Sequence, residues 1–262
     1  MKTMIVEGIV LKEVNYSESS KILTVLTKEY GLISIMSKGC RKVKSKLRSG
    51  SSKLSYANFG IYYKESGIST LTSVDLINPF KNILIDYRDL TKISYSLYLL
   101  ELTLQIIKEK NILEEEIEII YNLLIDSITK INEGFTPSII TNILELKYLD
   151  YLGVKPSIDG CSNCGSDLNI ITITPESFGY ICKECYNNEK LVDEKVLKMI
   201  RMLYYVEISR ISKLDIEENI ITEINNFIDE YYELHTGIYL KTKQNIKNLY
   251  KLEGIVNWVV FK

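Results

Sequence analysis

The chain has 262 residues, 32 Lys+Arg against 34 Asp+Glu and 46% hydrophobic residues; this is an ordinary globular composition, sized for about two domains with a core that needs no disulfides. The opening MKTMIVEGIVLKEV carries Glu7 and Glu13 inside its apolar stretch, and no apolar run approaches the roughly 20 residues of a membrane span, so the chain reads as cytoplasmic and its paired cysteines as metal ligands. The formal charge of −2 divides unevenly: residues 1–80 hold 12 Lys/Arg and 6 Asp/Glu, a net of +6, and the remainder hold 20 and 28, a net of −8, so a basic head suited to a polyanion precedes an acidic body.

The head reads as β. Thr3–Val14 alternates, with Ile5, Glu7, Ile9 and Leu11 on one side and Val6, Gly8 and Val10 on the other. Ser20–Thr27 and Leu32–Ser37 follow across a KEYG turn, and Leu54–Tyr63 and Ser69–Asn78 across an ESG turn. Five short strands in fewer than 80 residues fit a small barrel, such as the OB-fold that often binds oligonucleotides; strand number alone does not separate it from an SH3-like barrel. Between Gly31 and Tyr63 there is no acidic residue, while Lys38, Arg41, Lys42, Lys44, Lys46, Arg48 and Lys53 all occur. Unopposed charge of this density is either a solvated loop or a phosphate contact, and interleaved serines can add hydrogen bonds to phosphate. Tyr16, Tyr56, Phe59, Tyr62 and Tyr63 are candidates for base stacking, each with core packing as its alternative.

After Pro79 the period becomes helical. Leu90, Ile93, Leu97, Leu100, Leu104 and Ile107 predict a helix over Asp86–Lys110. Ile117, Ile120, Leu124, Ile128 and Ile131 predict a second, ending near Gly134. Thr136 as N-cap and Pro137 in the first turn open a third, which stops at Gly153. Asp193–Tyr205 and Glu217–Leu240 read as two more.

Between these last helices and the third lies C-x2-C-x17-C-x2-C: Cys161, Cys164, Cys182 and Cys185. Each pair can bend into a knuckle, and two knuckles close a tetrahedron of four thiolates around one structural zinc. Gly165 suits the turn after the first pair, and Ile170–Thr174 with Gly179–Ile181 predict the hairpin of a zinc ribbon. Cys40 stands apart from the four. No G-x-x-x-x-G-K-[ST] occurs, so no nucleotide site is expected. The single histidine, His235, falls on a predicted helix and reads as packed or hydrogen-bonded near the core. Glu114, Glu115 and Glu116 read as a solvated face. No catalytic constellation emerges, and the chain is not expected to be an enzyme.

In this order, the features resemble the RecO family of bacterial DNA repair and recombination mediator proteins. The resemblance begins in EGIVLKEVNYSESSKILTVLTKEYGLISIMSKGCRKVKSKLRS, with Tyr16 and Glu18 in a turn, Thr27 closing a strand, Gly31 turning, and Lys38-Gly39 leading to Arg41. It continues through Tyr98-Leu99-Leu100-Glu101-Leu102, the cysteine pairs, His235, Gly237, Leu240 and Lys241. It implies an α+β multidomain chain: an N-terminal five-stranded OB-fold over residues 1–80, then an α-helical domain over 81–262 with a zinc-binding insertion at about 156–190. It implies binding to single- and double-stranded DNA, annealing without ATP, and loading of RecA onto strands covered by single-strand-binding protein, together with RecR and sometimes RecF, in a nucleoid-associated cytoplasmic setting. Lys38, Arg41, Lys42, Lys44, Lys46 and Arg48 carry over as DNA contacts. A zinc-ribbon nucleic-acid enzyme and a protein–protein adaptor are the alternatives.

Overall fold

The computed structural model describes residues 2–84, 90–109 and 112–249. They form two compact units, one within Met1–Glu133 and Thr242–Lys262, the other spanning Gly134–Lys241.

In the first unit, β1 (Lys2–Tyr16), β2 (Ser20–Thr27), β3 (Gly31–Ser37), β4 (Tyr56–Tyr63) and β5 (Ile68–Asn78) close into a barrel in the order β1-β2-β3-β5-β4. β1 runs antiparallel to both β2 and β4, and β3 meets β5 in parallel. This is the OB-fold. Alternation along the strands turns Val6, Val10, Leu23, Val25, Ile33, Ile35, Phe59 and Ile61 into one interior. The other side of β1 is only partly wet: Ile5 is 72% exposed while Ile9 and Leu11 are buried. There α2 packs on β1, and a bulge between Val10 and Lys12 shifts the alternation.

The helices of this unit are α1 (Lys81–Leu84), α2 (Leu90–Glu109) and α3 (Glu114–Glu133). Asp86 and Lys110, the expected limits of α2, lie outside the described residues. At the start of α3 the Glu116 carboxylate accepts the Leu113 N–H at 2.9 Å, half of a capping box, and Glu114–Glu116 set negative charge at the positive end of the helix dipole.

The second unit contains α4 (Pro137–Tyr151), the hairpin β6 (Ile170–Thr174) and β7 (Gly179–Cys182), α5 (Glu194–Tyr205) and α6 (Glu218–His235). α4 is buried on nearly every side, as expected of a central helix, with α5 and α6 packed on it. Thr136 makes no side-chain cap. Pro137 starts the helix instead, through its fixed φ and the N–H it lacks. Asp193 does cap α5, accepting the Lys195 N–H at 2.7 Å. α6 stops at His235, short of the expected Leu240, because Gly237 takes φ +67, a left-handed exit that ends a helix.

Candidate nucleic-acid interface and metal centre

The basic run is an ordered connection between β3 and β4. Backbone N–H to C=O bonds close successive turns from Lys42 to Gly39, Ser45 to Lys42, Arg48 to Ser45, and Ser51 to Arg48, at 3.0–3.3 Å. The backbone thereby satisfies itself every three residues and needs neither helix nor strand. Three side chains seven residues apart hold this ladder to the barrel: Cys40 and Leu54 are buried, and Leu47 packs against the barrel core. Lys38, just before the first anchor, and Arg41, Lys42, Lys44, Lys46 and Arg48 between the anchors are all exposed.

The ladder is also tied to the turn between β1 and β2. The Arg41 N–H donates to the Ser19 carbonyl at 2.9 Å, the Gly39 N–H to the Ser20 hydroxyl at 3.2 Å, and Arg41 Nη1 to the Ser17 carbonyl at 3.1 Å. OB-folds take oligonucleotides on the face of strands 2 and 3 and on the loops beside it, so the charge of a connection between β3 and β4 is delivered to the edge of that face. Register and alternation arrange the face in rows: Val14, Ile22 and Met36 lie side by side, with Lys12, Thr24 and Ser34 in the next row. Val14 and Tyr16 are about half exposed, at 50% and 53%.

The aromatic candidates separate. Phe59 is wholly buried in the barrel core and cannot stack on a base, since alternation turns it inward. Tyr56 donates its hydroxyl to Glu7 at 2.7 Å and stacks on Phe80. Tyr63 packs on the barrel core beside Tyr30. Tyr16 and Tyr62 retain exposed rings.

In the second unit the four cysteines converge, with all four sulfurs within 4.8 Å of one another. Cys164 Sγ and Cys182 Sγ stand 3.7 Å apart, the edge of a tetrahedron built on metal–sulfur bonds of about 2.3 Å. The first knuckle closes through the Gly165 N–H to the Cys161 carbonyl at 2.8 Å, with Gly165 at φ +77, and the second through the Cys185 N–H to the Cys182 carbonyl at 3.1 Å. Burial opposes ionisation of Cys161, but backbone N–H groups of Cys182, Cys164 and Asn163 outweigh it and bring the thiol down to about 6. Hydrogen bonding with the Cys164 and Cys182 thiols, followed by burial, pushes Cys185 up to about 12. Four sulfurs this close cannot all ionise without a cation among them, and the site could hold a metal ion. Cys40 is not part of it.

The ribbon is fixed to its own unit by several bonds. The Tyr180 hydroxyl donates to the Leu197 carbonyl at 2.6 Å, and Arg201 reaches Asp159 at 2.9 Å. His235 Nε2 lies 2.7 Å from the Pro175 carbonyl with its ring stacked on Phe178, which accounts for the lone histidine as a packed, hydrogen-bonded side chain.

Residues 1–80 match the family profile described as Recombination protein O N terminal, and residues 87–244 match Recombination protein O C terminal. The chain belongs to the RecO family. Among proteins named DNA repair protein RecO, it is 29% identical to that of Bacillus subtilis, the alignment covering 95% of this chain and 96% of the relative. It is 30% identical to that of Bacillus pumilus over the same shares, 95% and 96%. The RecO of Halalkalibacterium halodurans is 29% identical, over 93% of this chain and 94% of its own. Beyond the expected residues, this RecO-family barrel brings in Ser17, Ser19 and Ser20, which tie down the ladder, and the Val14–Ile22–Met36 row. Strand alternation is the one signal in the sequence that could have found the row; the serine ties depend on backbone atoms, which have no signature in the residues. No helix among the described residues is long and apolar enough to cross a membrane.

Proposed function

We propose that the chain is a cytoplasmic recombination mediator that binds single- and double-stranded DNA, anneals complementary strands and helps load RecA onto DNA coated with single-strand-binding protein, with RecR as a partner. Residues 1–80 are the DNA-binding module, and residues 81–262 form the body, braced by one structural zinc on Cys161, Cys164, Cys182 and Cys185. The observation that carries this reading is the tie from Arg41 to Ser17 and Ser19, which brings the cations of the ladder to the edge of the β1–β2–β3 face. Lys38, Arg41, Lys42, Lys44, Lys46 and Arg48 there neutralise phosphate, while exposed Tyr16 and the apolar row meet bases. Two strands bound to one cationic surface repel each other less, and base pairing supplies the driving force, so annealing needs neither proton transfer nor nucleotide hydrolysis.

The test is annealing of complementary oligonucleotides by the purified full-length chain. Acceleration without ATP, lost at high salt, is the expected result. Annealing at the uncatalysed rate under low salt would overturn the reading.

A further inference from the structure

The turn ladder, the end of β1 and the start of β2 line a half-open cavity of about 360 Å³, formed by Asn15, Lys21, Cys40, Arg41, Arg48, Ser51 and Ser52. Lys21 is largely buried. It donates to the Glu13 carboxylate at 3.0 Å and to the Ser51 carbonyl at 2.9 Å. Its charge is thus balanced, and one of its three ammonium protons is left for the cavity. Arg41 spends one nitrogen on the Ser17 carbonyl. Among the described residues, neither Arg41 nor Arg48 is paired with a carboxylate. Two uncompensated guanidinium groups therefore face a concave site whose floor, Ser51 and Lys21, rests on the barrel interior.

The form of this site selects among phosphates. An internal phosphodiester carries a single charge and needs a way in and a way out for its two ester bonds. A phosphomonoester carries about −1.5 to −2 at neutral pH and three acceptor oxygens. It hangs from a single tether and matches two guanidinium forks, which bind phosphate in a bidentate manner. On the reading that this chain binds DNA, we propose that the cavity between Lys21, Arg41 and Arg48 holds the terminal phosphomonoester of a DNA strand, so that the barrel recognises phosphorylated strand ends in addition to strand backbones.

The same phosphate chemistry could come from a strand end or from the free ion, and fluorescence anisotropy with the full chain separates them. One oligonucleotide sequence is measured with a 5′-phosphate, with a 3′-phosphate and with hydroxyl ends, with inorganic phosphate as competitor at matched ionic strength. A phosphorylated end should bind about tenfold tighter, equivalent to about 1.4 kcal/mol, and inorganic phosphate should erase that difference. Arg48→Gln should abolish the preference, whereas Lys44→Gln, outside the cavity, should weaken every oligonucleotide by the same factor. Equal affinity for phosphate and hydroxyl ends overturns the inference and leaves DNA binding standing. Inorganic phosphate binding without any end preference overturns the strand-end assignment, and a preference that survives in Arg48→Gln overturns the placement. Failure of every oligonucleotide to bind overturns the DNA reading and the inference with it.

Discussion

Glu7 on β1 and Tyr121 on α3 are joined by a hydrogen bond of 2.9 Å across 114 residues of chain. The same carboxylate oxygen accepts the Tyr56 hydroxyl at 2.7 Å. One acidic side chain in the wall of an otherwise basic barrel thus fastens that barrel to a helix of its own unit. Tyr121 is 1% exposed, so its hydroxyl has no alternative partner in water. Glu7→Ala should cost about 2 kcal/mol by leaving the buried Tyr121 hydroxyl and the half-buried Tyr56 hydroxyl unmet, and Tyr121→Phe about 1 kcal/mol, both read from thermal or urea unfolding. Burial first, and then the hydrogen bond to Glu7, pushes Tyr56 up from 10.0 to about 12, and the same causes raise Tyr121. The folded state holds these protons more tightly than the unfolded chain does. Their contribution is therefore complete below pH 10; that of Tyr56 is lost as pH rises from 10 towards about 12, and that of Tyr121 falls through the same window and beyond it. Tyr121→Phe should flatten the fall of stability in that alkaline window.

Protein purified under reducing conditions without chelator should carry one zinc per chain by elemental analysis. Structural zinc sites contribute roughly 10–16 kcal/mol of apparent binding energy in small peptides. Cys182 is buried and its sulfur stands 3.7 Å from that of Cys164, so Cys182→Ser should lose the metal and loosen the ribbon against α5. Full metal content in the variant would show that the four sulfurs do not act as one site.

The ladder cations predict a salt dependence. If about four of them neutralise phosphate, the log–log slope for single strands should be near −3, from roughly −0.7 per contact, and Arg41→Ala, Lys42→Ala and Lys44→Ala together should flatten it by about 2 units. The fold and metal content should not change: all three side chains are exposed, and although Arg41→Ala removes the bond to the Ser17 carbonyl, the backbone bond from the Arg41 N–H to the Ser19 carbonyl still holds the ladder to the turn. A triple variant with the unaltered slope would assign binding to another surface.

Tyr16 separates the two kinds of DNA. Base–aromatic stacking is worth about 1–3 kcal/mol per base by alanine substitution, and paired bases in a duplex offer no free face. Tyr16→Ala should weaken single-strand binding about tenfold or more and leave duplex affinity nearly unchanged. An equal loss for both would make Tyr16 a part of the fold rather than a stacking platform.

The barrel is readable where its strands alternate, as in β1, where Val6 and Val10 share one side and both enter the core; Phe59, offered with stacking and core packing as alternatives, belongs to that core as well. The convergence of the four cysteines is legible in their spacing for a similar reason, since thiolate chemistry dictates the pattern. Other features had no such signal. Of the α2 stripe expected from Leu90, Ile93, Leu97, Leu100, Leu104 and Ile107, Leu100 and Leu104 are buried but Leu90 is 53% exposed, while Ser96 and Thr103, outside the stripe, are fully buried. These hydroxyls bond the carbonyls four residues back, Lys92 at 2.8 Å and Leu99 at 2.7 Å. They thereby hide their polarity, which a count of apolar residues cannot see. Tyr239 and Leu240 continue the apolar rhythm of α6 past Gly237, whose backbone has already left the helix. The ladder has no signature in the residues, because backbone atoms build it and the charges along it fit a solvated loop equally well.

The first unit is discontinuous in the chain: it takes in residues up to Glu133 and resumes at Thr242, with the ribbon-bearing unit in between. Within it, the Thr242 hydroxyl donates to Glu101 on α2 at 2.6 Å, a partner 141 residues away. Because translation runs in one direction, the barrel and α2 leave the ribosome long before Thr242 exists. The guest unit, with its cysteine knuckles, is synthesised in that interval. Nascent chains that stall before Thr242 carry the five barrel strands in a host unit that still lacks its closing segment.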